Sequence, residues 1–187
     1  MRLTRPALSV FRLRSDSGIQ PLKTPMECLI ALGSNSGDRL EHLREAATGL
    51  RRLDAGAEFS PVYETAPVDC PEGSGAFLNA AAVIRWTGTP SELHTKLRAL
   101  ESAAGRPAQR ARNAPRPLDL DLLAAGTAIS PDPELTLPHP RIHERRFVLL
   151  PLSSLRPALV LPGQSATIAE LLAQLPDEPM IDIGVRL

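Results

Sequence analysis

The chain has 187 residues, enough for one domain with a sizeable core, and 43% are apolar, as in soluble globular proteins. Its 21 basic residues balance 21 acidic ones, which removes the bulk attraction that nucleic-acid or membrane-surface binding draws on. Two cysteines give neither a disulfide framework nor metal-knuckle spacing, and no apolar run approaches the roughly 20 residues that span a bilayer. A reducing, cytoplasmic setting without nucleic-acid or membrane partners is the expectation.

Residues 1–25 stand apart. Arg2, Arg5, Arg12, Arg14 and Lys23 face a single acid, Asp16, and Pro6 and Gly18 interrupt any amphipathic helix. A poorly ordered arm is expected there, followed by one domain over 26–187. Cys28 to Leu32 is a continuous apolar run leaving through Gly33-Ser34-Asn35-Ser36-Gly37-Asp38, which predicts a buried strand, a glycine-rich turn and a helix. That turn matches neither a Walker A loop nor a dinucleotide fingerprint, so Gly33 and Asn35 read first as turn formers rather than a phosphate cradle. The helix runs from about Asp38 to Leu53, with Leu40, Leu43, Ala47 and Leu50 at helical spacing.

Phe59 to Tyr63 predicts a second strand and Phe77 to Ile84 a third. Between them lies a loop stiffened by prolines at one end and loosened by glycines at the other. Asn79, set in so apolar a run, needs a hydrogen-bond partner if buried: either a backbone group or the edge of a polar ring. Residues 90–104 predict a helix capped near Thr89, with Leu93, Leu97 and Leu100 inward. Arg106, Arg110 and Arg112 follow with no acid among them, so this loop repels itself unless solvent or an anion satisfies it.

The loop opens onto Pro115-Arg116-Pro117-Leu118-Asp119-Leu120-Asp121-Leu122-Leu123. In a strand, residues two apart share a face, so Asp119 and Asp121 point to one side and leucines pack the other. Two buried like charges are costly unless a cation or arginines neutralise them. An edge strand with two solvated acids also fits; the arginines upstream favour a phosphate site with a closing loop and a hard divalent cation. Residues 132–143 read as a loop, with His139 held between prolines. Glu144 to Leu155 and Thr167 to Leu175 predict helices, and the tail after them is expected to be peripheral.

The chain resembles the 6-hydroxymethyl-7,8-dihydropterin pyrophosphokinase family. Arg112-Asn113-Ala114-Pro115-Arg116-Pro117-Leu118-Asp119-Leu120-Asp121-Leu122-Leu123 carries the signature. Ala31-Leu32-Gly33-Ser34-Asn35, Tyr63-Glu64-Thr65-Ala66-Pro67, Phe77-Leu78-Asn79-Ala80-Ala81 and Leu137-Pro138-His139-Pro140-Arg141 support it in family order. The resemblance implies a ferredoxin-like α/β (α+β) sandwich, mainly an antiparallel sheet with helices packed on it. It implies pyrophosphoryl transfer from ATP to the pterin hydroxymethyl oxygen, with release of AMP, and two Mg2+ ions held by Asp119 and Asp121.

It further implies catalytic roles for Arg106, Arg116, Asp119 and Asp121. Nucleotide binding falls on Arg112, Arg116, Leu122, Thr136, His139 and Arg145, and pterin binding on Thr65, Pro67, Val68, Phe77, Asn79 and Phe147. Physically, Phe77 and Phe147 could sandwich a flat ring while Asn79 reads its polar edge. Neighbouring folate-pathway enzymes are candidate partners. The chain departs from the pattern at Asn113, Ala108, Gln109 and Glu134, which bears on rate and affinity rather than reaction type. The rival readings are a non-catalytic ATP- or pterin-binding member of the fold and an RNA-binding platform; neutral charge and six aromatics speak against the latter.

Overall fold

The computed structural model describes residues 24–67, 75–105 and 115–187. Its element order is β1 (Met26–Ser34), α1 (Arg39–Leu53), β2 (Glu58–Phe59), β3 (Pro61–Thr65), β4 (Phe77–Trp86), α2 (Pro90–Ala103), β5 (Asp119–Ala125), a 3-10 turn (Ile142–Glu144), α3 (Arg146–Ser153), α4 (Ile168–Gln174) and β6 (Met180–Arg186). The strands form one sheet in the order β5-β1-β4-β3-β6, with β2 also on β4. Every ladder is antiparallel. The βαββαβ run with β1 and β4 central is the ferredoxin-like arrangement, extended at one edge by β6.

Helices cover both faces of this sheet, which explains why β1 reads as an unbroken apolar run rather than an alternating one. Ile30 and Leu32 of β1, Leu78 to Ile84 at alternate positions of β4, and Leu120 and Leu122 of β5 pack against Leu43 and Leu50 of α1 and Leu93 and Leu97 of α2. Leu29, Ala81, Val83 and Leu123 face the other way, onto Val148, Leu149 and Leu152 of α3 and Ile168 and Leu171 of α4.

Local chemistry sets the helix ends. The Asp38 carboxylate accepts from the Glu41 N–H, and Glu41 near the start and Arg51 and Arg52 near the end of α1 complement the helix dipole. Thr89 and Glu92 form a capping box ahead of α2, with Pro90 in the first turn, and Thr167 and Glu170 form another ahead of α4.

Three expectations need correction. The strand predicted over Phe59 to Tyr63 is two strands broken at Ser60. Its hydroxyl accepts the Ala81 N–H at 2.8 Å and donates to the Pro61 carbonyl at 2.7 Å, repairing the ladder beside a proline that lacks an N–H. The helix expected from Glu144 begins at Arg146, because Ile142–Glu144 closes as a separate 3-10 turn. The tail is an element in its own right: β6 pairs with β3, and Gly184 at φ 72° accompanies a register shift in that ladder. The expected arm falls almost wholly outside the described residues, as do Val68, Arg106, Ala108, Gln109, Arg110, Arg112 and Asn113.

Candidate active site

An open cleft lies where β5, β1 and β4 meet the start of α3. Its lining includes Gly33, Thr65, Phe77, Asn79, Arg116, Asp119, Asp121, Arg141, Arg145, Arg146, Phe147 and Glu178. Sheet register brings these distant residues together. Gly33 of β1 pairs with Asn79 on one side and Asp119 on the other, and Tyr63 pairs with Asn79 from β3. A Cβ at Gly33 would stand 3.5 Å from Asn79 Oδ1 and 3.8 Å from the Asp119 Cβ. That glycine therefore keeps the floor flat between the amide and the carboxylate.

Asp119 and Asp121 share the cleft face of β5, while Leu120 and Leu122 go into the core behind it. The Leu120 N–H donates to the buried Glu101 carboxylate of α2 at 2.8 Å, so the strand is held at the residue between the two acids. Arg116 Nη2 reaches Asp119 Oδ2 at 2.7 Å. Burial, and then the charge of Asp119, push the Asp121 carboxyl above its ordinary range. Burial lowers the neighbouring His139 imidazole, against the pull of Asp121. His139 is fixed by its backbone N–H on the Leu123 carbonyl at 2.7 Å, and its Nδ1 accepts the Arg141 N–H at 3.2 Å. In the neutral ring that leaves the proton on Nε2.

At the other end of the cleft, Asn79 is buried and donates through Nδ2 to the Thr65 hydroxyl at 2.8 Å. Phe77 and Phe147 both line this end, and each has a guanidinium near its ring: Arg116 at 5.5 Å from the Phe77 centroid and Arg145 at 5.6 Å from that of Phe147. Arg146 is tied to Asp177 and Arg141 to Glu144, so part of the arginine wall is already ion-paired.

Of the residues named from sequence, the cleft gathers Thr65, Phe77, Asn79, Arg116, Asp119, Asp121, Arg145 and Phe147. Leu122 is not among them: it is 4% exposed and packs in the core on the opposite sheet face, so its side chain offers no nucleotide contact. In a strand the residue after Asp121 points to the opposite face. Pro67, Thr136 and His139 lie outside the lining; the Thr136 hydroxyl donates to the Asp132 carbonyl at 2.9 Å. Gly33, Arg146 and Glu178 were missed. Crowding of Arg141, Arg145 and Arg146 in the sequence flagged the arginine wall, whereas nothing local marks Glu178.

The fold and the cleft define an α/β protein that sets paired carboxylates and arginines beside an aromatic, amide-lined slot. The family model described as 7,8-dihydro-6-hydroxymethylpterin-pyrophosphokinase (HPPK) matches residues 29–157, and the chain belongs to that family. A 2-amino-4-hydroxy-6-hydroxymethyldihydropteridine pyrophosphokinase of Haemophilus influenzae is 36% identical over 157 residues, covering 83% of this chain and 96% of that one. One from Bacillus subtilis is 40% identical over 128 residues, covering 67% and 75%. The mitochondrial folate synthesis bifunctional protein of Arabidopsis thaliana is 41% identical over 141 residues, 73% of this chain, but the match spans only 24% of that longer protein. Among solved structures, a Plasmodium falciparum HPPK-DHPS aligns with TM-score 0.62 at 14% identity, over 81% of this chain and 46% of that one, which supports the fold.

Proposed function

We infer that this chain transfers the pyrophosphoryl group of ATP to 6-hydroxymethyl-7,8-dihydropterin, giving AMP and the pterin diphosphate in folate biosynthesis. The observation that carries the reading is one cleft holding Asp119, Asp121 and Arg116 at one end and Phe77, Phe147, Asn79 and Thr65 at the other. The hydroxymethyl oxygen attacks the β-phosphorus. The bond from that phosphorus to the α,β-bridging oxygen breaks, AMP keeps the oxygen, and the hydroxyl proton passes to solvent. No covalent enzyme intermediate and no dedicated protein base are needed; positioning and electrostatics carry the step.

The site's chemistry suits a hard cation. Two half-buried carboxylates share a face, and no third His, Cys, Asp or Glu joins them among the described residues. Mg2+ is commonly held by one or two carboxylates and substrate phosphates. Asp119 and Asp121 would hold two such ions, which when bound neutralise phosphate charge and polarise the transferred group. Arg116 keeps Asp119 oriented, and Arg145, with Arg106 and Arg112 outside the described residues, would balance the charge that develops on the phosphates. Phe77 and Phe147 would flank the pterin, with Asn79 and Thr65 at its polar edge and Pro67 and Val68 at its rim. His139, Thr136 and the Leu122 backbone would take the nucleotide.

The described residues contain no helix long and apolar enough to cross a membrane, in keeping with a cytoplasmic enzyme. The bifunctional relatives suggest neighbouring folate-pathway enzymes as partners. Asp119→Asn and Asp121→Asn test the reading. Each removes one charge at nearly constant volume, so turnover should fall at least about 100-fold with the fold retained by circular dichroism. Turnover within a few-fold of the parent in either variant would sink the carboxylate assignment.

A further inference from the structure

Asn35 lies in the turn after β1 and reads from the sequence as a turn former. In the fold its side chain is spent elsewhere, 81 residues along the chain. Its Oδ1 accepts the Arg116 N–H at 2.7 Å, and its own N–H donates to the Arg116 carbonyl at 3.2 Å. Both backbone groups of Arg116 are thus closed onto one residue. Arg116 sits between Pro115 and Pro117, neither of which has an N–H. Its own N–H is the one backbone donor in that tripeptide, and Asn35 takes it. Asn35 is only 7% exposed, while its Nδ2 has no partner among the described residues. The amide oxygen and the backbone N–H, not the side-chain NH2, are what the fold uses.

We propose that Asn35 is a positioning residue for the reaction: it clips the backbone of Arg116 so that the guanidinium reaches Asp119 and leans over Phe77. Three contacts then fix one arginine: the clip at its backbone, Asp119 at 2.7 Å from Nη2, and the Phe77 ring 5.5 Å away. Release of the clip frees the prolines to swing, and with them the residue that orients the first carboxylate of β5. A displacement of about 1 Å at a reacting centre can cost on the order of 100-fold in rate.

The inference rests on the reading of Arg116 and Asp119 given above. Wild-type protein that forms no AMP would fail that reading, whereas amide exchange at Arg116 tests the clip whatever the activity. Asn35→Ala should lower kcat by about 10- to 100-fold, with the pterin KM within about 3-fold, because Thr65 and Asn79 are untouched. Exchange at the Arg116 amide should quicken while the amides of Leu29 to Ala31 in β1 keep their protection. In an Arg116→Ala background the same substitution should cost little more. Asn35→Asp keeps an acceptor for the Arg116 N–H, although it exchanges the NH2 for a charged oxygen, so it should restore the protection of that amide.

Independent, multiplying losses in the double variant would overturn the proposal. So would an Arg116 amide that exchanges no faster in Asn35→Ala than in the parent. If Asn35→Ala does not fold, Asn35→Asp carries the test alone: a protected Arg116 amide supports the clip, and loss of that protection contradicts it.

Discussion

Asp121, half-buried, and Asn79, buried, mark the two ends of the cleft. Desolvation and then the charge of Asp119 both oppose ionisation of Asp121, an arrangement suited to a site completed by a cation. Asn79 keeps an amide that donates through Nδ2 to the Thr65 hydroxyl. On the proposed reading, Asn79→Ala should raise the pterin KM at least about 10-fold, the penalty for an unread polar edge, and leave the ATP KM within about 2-fold. Steady-state kinetics with each substrate varied decides it, and equal changes in both constants would place Asn79 outside the pterin end.

Cys28 gives a contrasting residue. It is fully buried in β1 with its thiol pushed up to about 12, first by burial and then by Glu27. Native protein at pH 8 should therefore leave Cys28 unalkylated by iodoacetamide while denatured protein labels it, read by peptide mass spectrometry. Labelling of the native thiol at the denatured rate would contradict its burial. At this scale the sequence was informative. The aspartate pair, Asn79 and the two phenylalanines stand out because polar groups sit in apolar strands or rings are scarce. Asn35 and Glu101 did not stand out, since their work is done on backbone groups of distant residues.

Among the elements, those with strong local signals were legible: α1 and α4 from apolar spacing, α2 from spacing and its cap, β1, β4 and β5 from apolar runs. β6 was not. It is an edge strand, half-exposed, with Ile181 63% exposed, and the register shift near Gly184 breaks the two-residue alternation that would announce it. The Ser60 break was hidden for a similar reason, because a single hydroxyl replaces ladder bonds that periodicity assumes. The capping box of α4 yields a prediction. The Thr167 N–H and hydroxyl both donate to the Glu170 carboxylate, at 2.8 and 2.9 Å, which lowers its pKa.

A carboxyl whose folded pKa is depressed stabilises above its ordinary range, and that contribution is lost as pH falls through the folded value. Thr167→Ala should thus lower Tm by about 2–4 °C at pH 7, and the gap between variant and parent should narrow in acid. Thermal melts at pH 7 and pH 3 would show it. A gap that stays constant would mean that the Glu170 charge plays no part in the cap.

For the molecule as a whole, the sheet carries two cores and exposes its chemistry where neither covers it. α1 and α2 seal one face. α3 and α4 seal part of the other, leaving the ends of β1, β4 and β5 open onto the cleft. The overall charge is neutral, while Arg116, Arg141, Arg145 and Arg146 gather at the cleft. The family and its sheet were legible from ordered motifs. The meeting of Gly33, Asn79 and Asp119 was not, because it depends on strand register across three separate pairings.

The central claim, pyrophosphoryl rather than phosphoryl transfer, is tested most directly by the nucleotide product. The purified chain would be incubated with ATP, with and without 6-hydroxymethyl-7,8-dihydropterin, in Mg2+ and in EDTA, and the products separated. AMP that appears only when pterin and Mg2+ are both present is the predicted result; ADP in its place, or AMP released without the pterin, would contradict the account.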